Sequence, residues 1–230
     1  FTFGDLVTMP VIDTRQYRDE QVKDGNYPGV EEITNYGDQT EAVFAEDLQM
    51  LGAEQEEWLL SEIGDTDRTW FLLGQQSIIG GWNLDPSAPT GKWSTDTWDG
   101  YVAQRRRVLD ALSALDGVGV VSTGGDLHHA VVQTLRADLT APDSAALGSE
   151  FICPSITSTA SESPEEIANI ASAPYIQFYD ATRRGYMVLG FSGDEVTAEM
   201  KWVDARVADA PVESGPVYRA TLDDPVPAPA

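Results

Sequence analysis

Asp126 and His128 stand two positions apart, after Gly125 and downstream of the apolar run Val118-Gly119-Val120-Val121. A strand that ends in a glycine turn presents a carboxylate and an imidazole from a rigid edge, and transition metals accept both ligand types. The chemistry such a pair points to is metal-assisted hydrolysis. Taken alone, the Asp-x-His spacing fits a solvated turn histidine equally well. The chain's other histidine, His129, would point to the opposite side if the segment stays extended. Two donors do not close a catalytic metal shell. The remaining ligands must be carboxylates, amides or phenols of this chain, or groups from another polypeptide.

The elements that must position this pair follow from hydrophobic periodicity. Leu6 to Ile12 reads as a buried strand, left at Asp13-Thr14-Arg15. Residues 19 to 41 are polar, with turn chemistry at Asn26-Tyr27-Pro28-Gly29, and read as a long loop of the kind that is often functional. Glu54 to Ile63 has helical spacing with Trp58, Leu59 and Ile63 on one face, and Thr69 to Leu73 reads as a second short buried strand. Gly80 to Thr97 is irregular, and its tryptophans Trp82 and Trp93 are read as pins that hold the loop to the core.

Trp98 to Leu115 is the clearest helix, with Val108, Leu109, Leu112 and Leu115 on one stripe. Arg105-Arg106-Arg107 lies on it, turned partly outward. In an acidic chain, salt bridges to local carboxylates are the favoured reading of that triplet over phosphate binding. Ala130 to Leu139 reads as a strand, although the pattern is compatible with a short helix. Glu150 to Cys153 is extended, and Ser163-Pro164-Glu165-Glu166 opens a helix with an N-cap, a proline at N1 and acidic first-turn residues. Tyr175 to Asp180, Tyr186 to Phe191 and Val196 to Val203 read as an antiparallel meander. The proline-rich residues 223–230 are expected to be an extended, disordered tail. The order implies an α/β (α+β) chain with helices packed outside a sheet layer. Because it opens on what reads as a central strand, an upstream segment is expected.

Charge narrows the partners. The chain has 38 acidic against 14 basic residues, a net charge of −24, and its only lysines are Lys23, Lys92 and Lys201. Such a field repels nucleic-acid backbones and anionic membranes, so neither is expected as a stable partner. It suits a protein kept soluble by carboxylates in high salt or outside the cell, and equally an acidic, arginine-biased proteome. A single cysteine, Cys153, excludes an internal disulfide and any zinc site of paired thiolates, and reads as a packed, inert thiol. No apolar stretch reaches the ~18 residues that cross a bilayer. The first residues, Phe1-Thr2-Phe3-Gly4-Asp5, carry neither an initiator Met nor signal-peptide features, which is expected of a processed, trimmed or divided chain.

Several blocks then occur in a telling order: Asp13-Thr14-Arg15-Gln16-Tyr17-Arg18; Leu51-Gly52-Ala53-Glu54-Gln55-Glu56-Glu57-Trp58-Leu59; Trp98-Asp99-Gly100-Tyr101 with Gln104-Arg105; Gly125-Asp126-Leu127-His128; and Glu150-Phe151 with Pro154-Ser155-Ile156-Thr157-Ser158. In this order and over nearly the whole chain, from Phe3 to about Val203, the sequence resembles the PhoD-like alkaline phosphatase/phosphodiesterase family. The resemblance implies a metallophosphoesterase-like β-sandwich of two mixed sheets flanked by helices, of which this chain is the C-terminal part, with residues 1–222 in the catalytic domain. It implies hydrolysis of phosphate monoesters and diesters with Fe3+ and Ca2+, in some members on phospholipids, and a secreted or extracytoplasmic location.

Residue by residue, the resemblance makes Asp126 and His128 metal ligands. The family's earlier ligand blocks have no counterpart in this chain, so an N-terminal companion chain of the same domain is the expected partner, alongside the phosphate ester substrate. Gly124 stands where the family usually has Thr or Ser before Gly-Asp. If the site is whole, metals lower the pKa of a bound water, the hydroxide attacks phosphorus in line, and a nearby cation helps hold the charge on the equatorial oxygens. Arg15 is the candidate for that cation, with a structural salt bridge as its other reading. The competing function is a non-catalytic subunit or degenerate homologue that binds Ca2+ or a protein partner through its acidic loops. No Gly-rich phosphate loop is present, which disfavours an unrelated phosphate-binding domain.

Overall fold

The run Trp70-Phe71-Leu72-Leu73 shows no polar alternation because both its faces are buried. Trp70 and Leu72 turn into one apolar cluster, Phe71 and Leu73 into another. The computed structural model describes residues 1–22, 32–33, 41–87, 92–138, 144–160 and 162–230. Its elements are β1 (Thr2–Phe3), β2 (Val7–Thr8), β3 (Glu32–Ile33), α1 (Ala53–Gly64), β4 (Trp70–Gly74), β5 (Trp93–Ser94), α2 (Val102–Ser113) and β6 (Gly119–Gly124). They continue with β7 (Ala130–Arg136), β8 (Ala146–Ile152), α3 (Pro164–Ile170), β9 (Ile176–Asp180), β10 (Gly185–Phe191), β11 (Glu195–Trp202), β12 (Glu213–Thr221) and β13 (Ala228–Pro229).

The larger sheet has seven strands in the order β1-β2-β4-β6-β8-β7-β9. Its centre, β2-β4-β6-β8, is parallel, while β7 pairs antiparallel with both β8 and β9. The smaller sheet, β10-β11-β12-β13, is antiparallel throughout. Its alternating inner face, Val196, Ala198, Met200 and Trp202 with Tyr218 and Ala220, packs on Trp70, Leu72, Val121, Val132 and Phe151 of the larger sheet. On the other face, α1 and α2 bring Leu59, Ile63, Val108, Leu109 and Leu112 onto Phe71, Leu73 and Val120. The result is two sheets face to face with helices outside, a mixed α/β sandwich. Burying each of these large side chains is worth about 2 kcal/mol, so the interior holds the sheet edge rigid.

Several expectations shift against this frame. Leu6 to Ile12 forms only the two residues of β2 and an isolated bridge from Val11 to Gly74, and β2 lies second from the sheet edge. Trp58 is 41% exposed while Leu59 and Ile63 are buried, so the apolar stripe of α1 is narrower than its sequence suggests. Trp82 and Trp93 are both buried. Ala130 to Arg136 is strand, and Leu139 lies outside the described residues. Most of the expected loop at 19–41 also lies outside them, apart from 19–22, residue 41 and β3, which pairs with β5. The segment from Tyr175 to Asp180 belongs to the larger sheet beside β7, so the meander is β10-β11-β12. Residues 223–230 are extended but docked rather than disordered: β13 pairs with β12, and Ser149 Oγ donates to the Pro225 carbonyl at 2.7 Å.

Candidate metal-donor turn and its arginine clamp

β6 ends against the loop that follows β4, and this fixes the turn. A Cβ at Gly124 would lie 2.1 Å from the Ser77 carbonyl oxygen, so no side chain fits there. Gly125 N–H donates to Gln76 O at 3.0 Å and Cys153 N–H to Gly124 O at 2.8 Å. Leu127 N–H then folds back onto Gly125 O at 2.8 Å, and Asp126 and His128 take φ of 70° and 64°. Two successive candidate ligands in left-handed backbone cost on the order of 1–3 kcal/mol each, a strain that clusters at functional sites.

The imidazole is oriented from behind. His128 Nδ1 donates to the Thr159 carbonyl at 3.2 Å, which leaves Nε2 as the ring nitrogen with no protein partner among the described residues. This is the arrangement in which a histidine ligates through Nε2. His129 is 3% exposed while His128 is exposed, although the segment is a turn and not the extended strand on which the expectation of opposite sides rested. Its Nε2 donates to Glu162 Oε2 at 3.0 Å and its Nδ1 accepts from the Tyr179 hydroxyl at 3.1 Å, with the Tyr179 and Trp82 rings 5.3 and 5.7 Å away. Burial lowers the His129 pKa, against the pull of Glu162, and pushes the Tyr179 phenol up. Both groups stay neutral, and His129 serves as an internal anchor for the start of β7.

Arg15 reaches the same turn from the segment after β2. Gln76 holds that segment in place: its Oε1 accepts from Thr14 N–H at 2.7 Å and Thr14 Oγ1 at 2.9 Å, and its Nε2 donates to Ile12 O at 2.8 Å. The guanidinium of Arg15 forms an ion pair with Asp126 and donates to both Asp96 carboxylate oxygens at 3.2 Å. Arg18 Nη1 adds a bond to Asp96 Oδ1 at 2.8 Å. Burial alone would raise the Asp96 pKa, but Arg15 and Arg18 outweigh it and hold the carboxyl below the usual range. Asp96 also acts on Arg15: burial works to lower the guanidinium pKa, and Asp96 and Asp126 more than compensate.

The structure therefore brings Arg15 and Asp126 together and places His128 on the same turn. Asp96 and Gln76, which organise the clamp, carry no sequence signal, because each acts through residues far away in the chain. The arginine triplet divides: Arg105 is buried against Asp99 at 2.5 Å, Arg107 pairs with Glu56 at 2.5 Å, and Arg106 is exposed. Cys153 is partly buried, and burial raises its thiol pKa. Among the described residues, no group of three or more His, Cys, Asp or Glu side chains gathers to hold a metal. The donors present are chemically suited to a metal but make only part of a shell.

The larger setting is given by comparison with known proteins. The family model for PhoD-like phosphatases matches residues 1–200. Over 191 residues the chain is 36% identical to alkaline phosphatase D of Bacillus subtilis (strain 168), covering 81% of this chain and 31% of that protein. A solved structure described as "Structure of PhoD" superposes with a TM-score of 0.87 at 28% identity, over 100% of this chain and 43% of that one. The chain thus spans about a third of the curated relative and under half of the solved one. By family model, sequence identity and fold, this chain belongs to the PhoD-like phosphatase family.

Proposed function

We propose that this chain is part of the catalytic domain of a metal-dependent phosphoric ester hydrolase, an alkaline phosphatase/phosphodiesterase, in which Asp126 and His128 are two of the metal donors. The observation that carries this reading is the strained turn, which offers the His128 Nε2 lone pair and a carboxylate two residues away. The remaining donors come from an N-terminal segment of the same domain, outside this chain. The relative's name, alkaline phosphatase D, supports the reaction class.

Fe3+ and Ca2+ are the metals the family resemblance suggests, and when bound such cations supply a water of lowered pKa. Thr159 fixes the tautomer and direction of His128. Arg15 orients the Asp126 carboxylate through their ion pair, so we assign it to the charge on the phosphoryl oxygens. A secreted or extracytoplasmic location fits the acidic surface, and no described helix is long and apolar enough to cross a membrane.

The test is hydrolysis of nitrophenyl phosphate and bis-nitrophenyl phosphate by the full-length protein and its Asp126→Ala variant. Turnover by the wild type with a loss of at least about a hundredfold in the variant supports the assignment. Equal turnover in the two would defeat it. The second reading, a non-catalytic homologue that binds Ca2+ or a protein partner, draws on the absence of a three-donor cluster among the described residues. It predicts no turnover in either protein.

A further inference from the structure

Beside the turn that carries His128, the loops after β8, β9 and β11 enclose a cavity of about 460 Å3. Two of its lining residues touch His128 directly. Thr159 holds Nδ1, and Arg184 Nη1 donates to the His128 carbonyl at 3.3 Å, so the cavity lies one residue away from the candidate metal donor, which does not itself line it. Ile156, Trp202 and Val207 give it apolar walls, and Arg183, Arg184 and Arg206 bring three guanidiniums to it.

Two of those cations are already matched. Arg183 pairs with Asp180 at 2.6 Å and lies 4.3 Å over the Trp202 ring, and Arg206 pairs with Asp204 at 2.8 Å. Arg184 differs. Its Nη1 donates only to backbone carbonyls, those of His128, Ala181 and Arg183 at 3.3, 3.1 and 2.7 Å, and among the described residues no carboxylate pairs with it. In a chain of net charge −24, most arginines are matched by carboxylates. The two other arginines without one among the described residues, Arg106 on α2 and Arg136 on β7, do not line the cavity. The three carbonyls hold the guanidinium by one nitrogen, and among the described residues Nη2 and Nε have no partner. A planar fork held in this way is already ordered for an incoming anion, which would then lose little further entropy on binding.

We propose that this cavity is the subsite for one ester arm of the substrate, and that Arg184 selects arms that carry a second anionic group on an apolar body. The inference rests on the phosphoester hydrolase reading and narrows it to diesters with such an arm, in preference to simple monoesters. The apolar walls take the body of the arm and Arg184 takes its anion.

The test uses the full-length protein and a matched set of nitrophenyl phosphate diesters whose second arm is benzyl, 4-carboxybenzyl or 4-phosphonobenzyl. The wild type should show kcat/KM about tenfold higher for an anionic arm than for benzyl, as a charge-assisted hydrogen bond supplies, and the effect should lie mainly in KM. The carboxylate and phosphonate arms show which anion the fork prefers. Arg184→Gln should erase the preference, Arg184→Lys should keep a reduced one, and Arg106→Gln, which removes the same charge from α2, should leave it intact. Equal rates for all arms in the wild type, or a preference that survives in Arg184→Gln, would overturn the proposal. If the wild type hydrolyses none of the esters, the reaction class falls. Calorimetric titration with benzyl phosphate and 4-carboxybenzyl phosphate still reads the cavity, and equal affinities there would overturn it independently.

Discussion

The Thr159 carbonyl oxygen lies 3.2 Å from His128 Nδ1, across 31 residues of sequence, and leaves Nε2 as the ring nitrogen with no protein partner among the described residues. Without it the imidazole would rotate on an exposed turn. With it, the loop after β8 and the turn after β6 become one unit, and the Arg184 bond to the His128 carbonyl ties the loop after β9 to the same turn.

The left-handed backbone at His128 leads to a separable prediction. His128→Gly removes the strain of a φ of 64° while deleting the donor. Thermal unfolding should show a melting temperature equal to or above that of the wild type, together with a loss of hydrolysis of at least about a hundredfold. A melting temperature several degrees lower would mean that the side chain is there for stability.

Gly124→Ala tests the tightness of the same turn. The added Cβ would meet the Ser77 carbonyl at 2.1 Å, and that backbone is fixed by Gln75 and Gln76, so the strand end must move. The expected cost is about 3 kcal/mol in denaturant unfolding, with activity reduced in the fraction that folds.

Glu150 ties the turn-bearing strands to the loop after β4. It is fully buried, and its carboxylate accepts from Ile79 N–H at 2.9 Å, Gly80 N–H at 2.8 Å, Ser122 Oγ at 3.0 Å and Gln133 Nε2 at 2.6 Å. Burial pushes its pKa up against those donors. Glu150→Ala strands two backbone N–H groups and should cost about 3 kcal/mol or more, measured by urea unfolding, whereas Glu150→Gln keeps an acceptor and should cost less.

Asp96 sets the acid side of the stability profile at the clamp. Its folded pKa is held below the ordinary aspartate value of 3.8, so the stability it supplies is complete above that value and is lost as pH falls through the folded one. Below about pH 4, the wild type should lose stability more steeply than Asp96→Asn. Parallel curves for the two proteins would contradict the ion-pair account of Arg15, Arg18 and Asp96.

How far the sequence carried depends on whether a residue acts locally. The stripe Val108, Leu109 and Leu112 places α2, and the Ser163-Pro164-Glu165-Glu166 run gives the capping box of α3, in which Glu166 Oε2 accepts from Ser163 N–H at 2.7 Å. Each is a pattern within a few residues. Which sheet a strand joins is not. The strand ending at Asp180 alternates no differently from its successors, yet it pairs with β7, and the choice is made by side chains across the sandwich. The tail reads as disordered from its prolines, but its docking depends on β12 and Ser149. Within the site, Asp126 and His128 are visible because the glycine turn advertises them. Asp96, Gln76, Thr159 and Arg184 are 31 to 81 positions from the residues they hold, and no spacing reveals them.

The central claim is that Asp126 and His128 grip a metal, and metal content tests it most directly. Elemental analysis of the purified full-length protein beside its Asp126→Ala and His128→Ala variants should find metal in the wild type at near-stoichiometric levels and a loss in each variant, with circular dichroism unchanged. Metal retained undiminished in both folded variants would contradict the account.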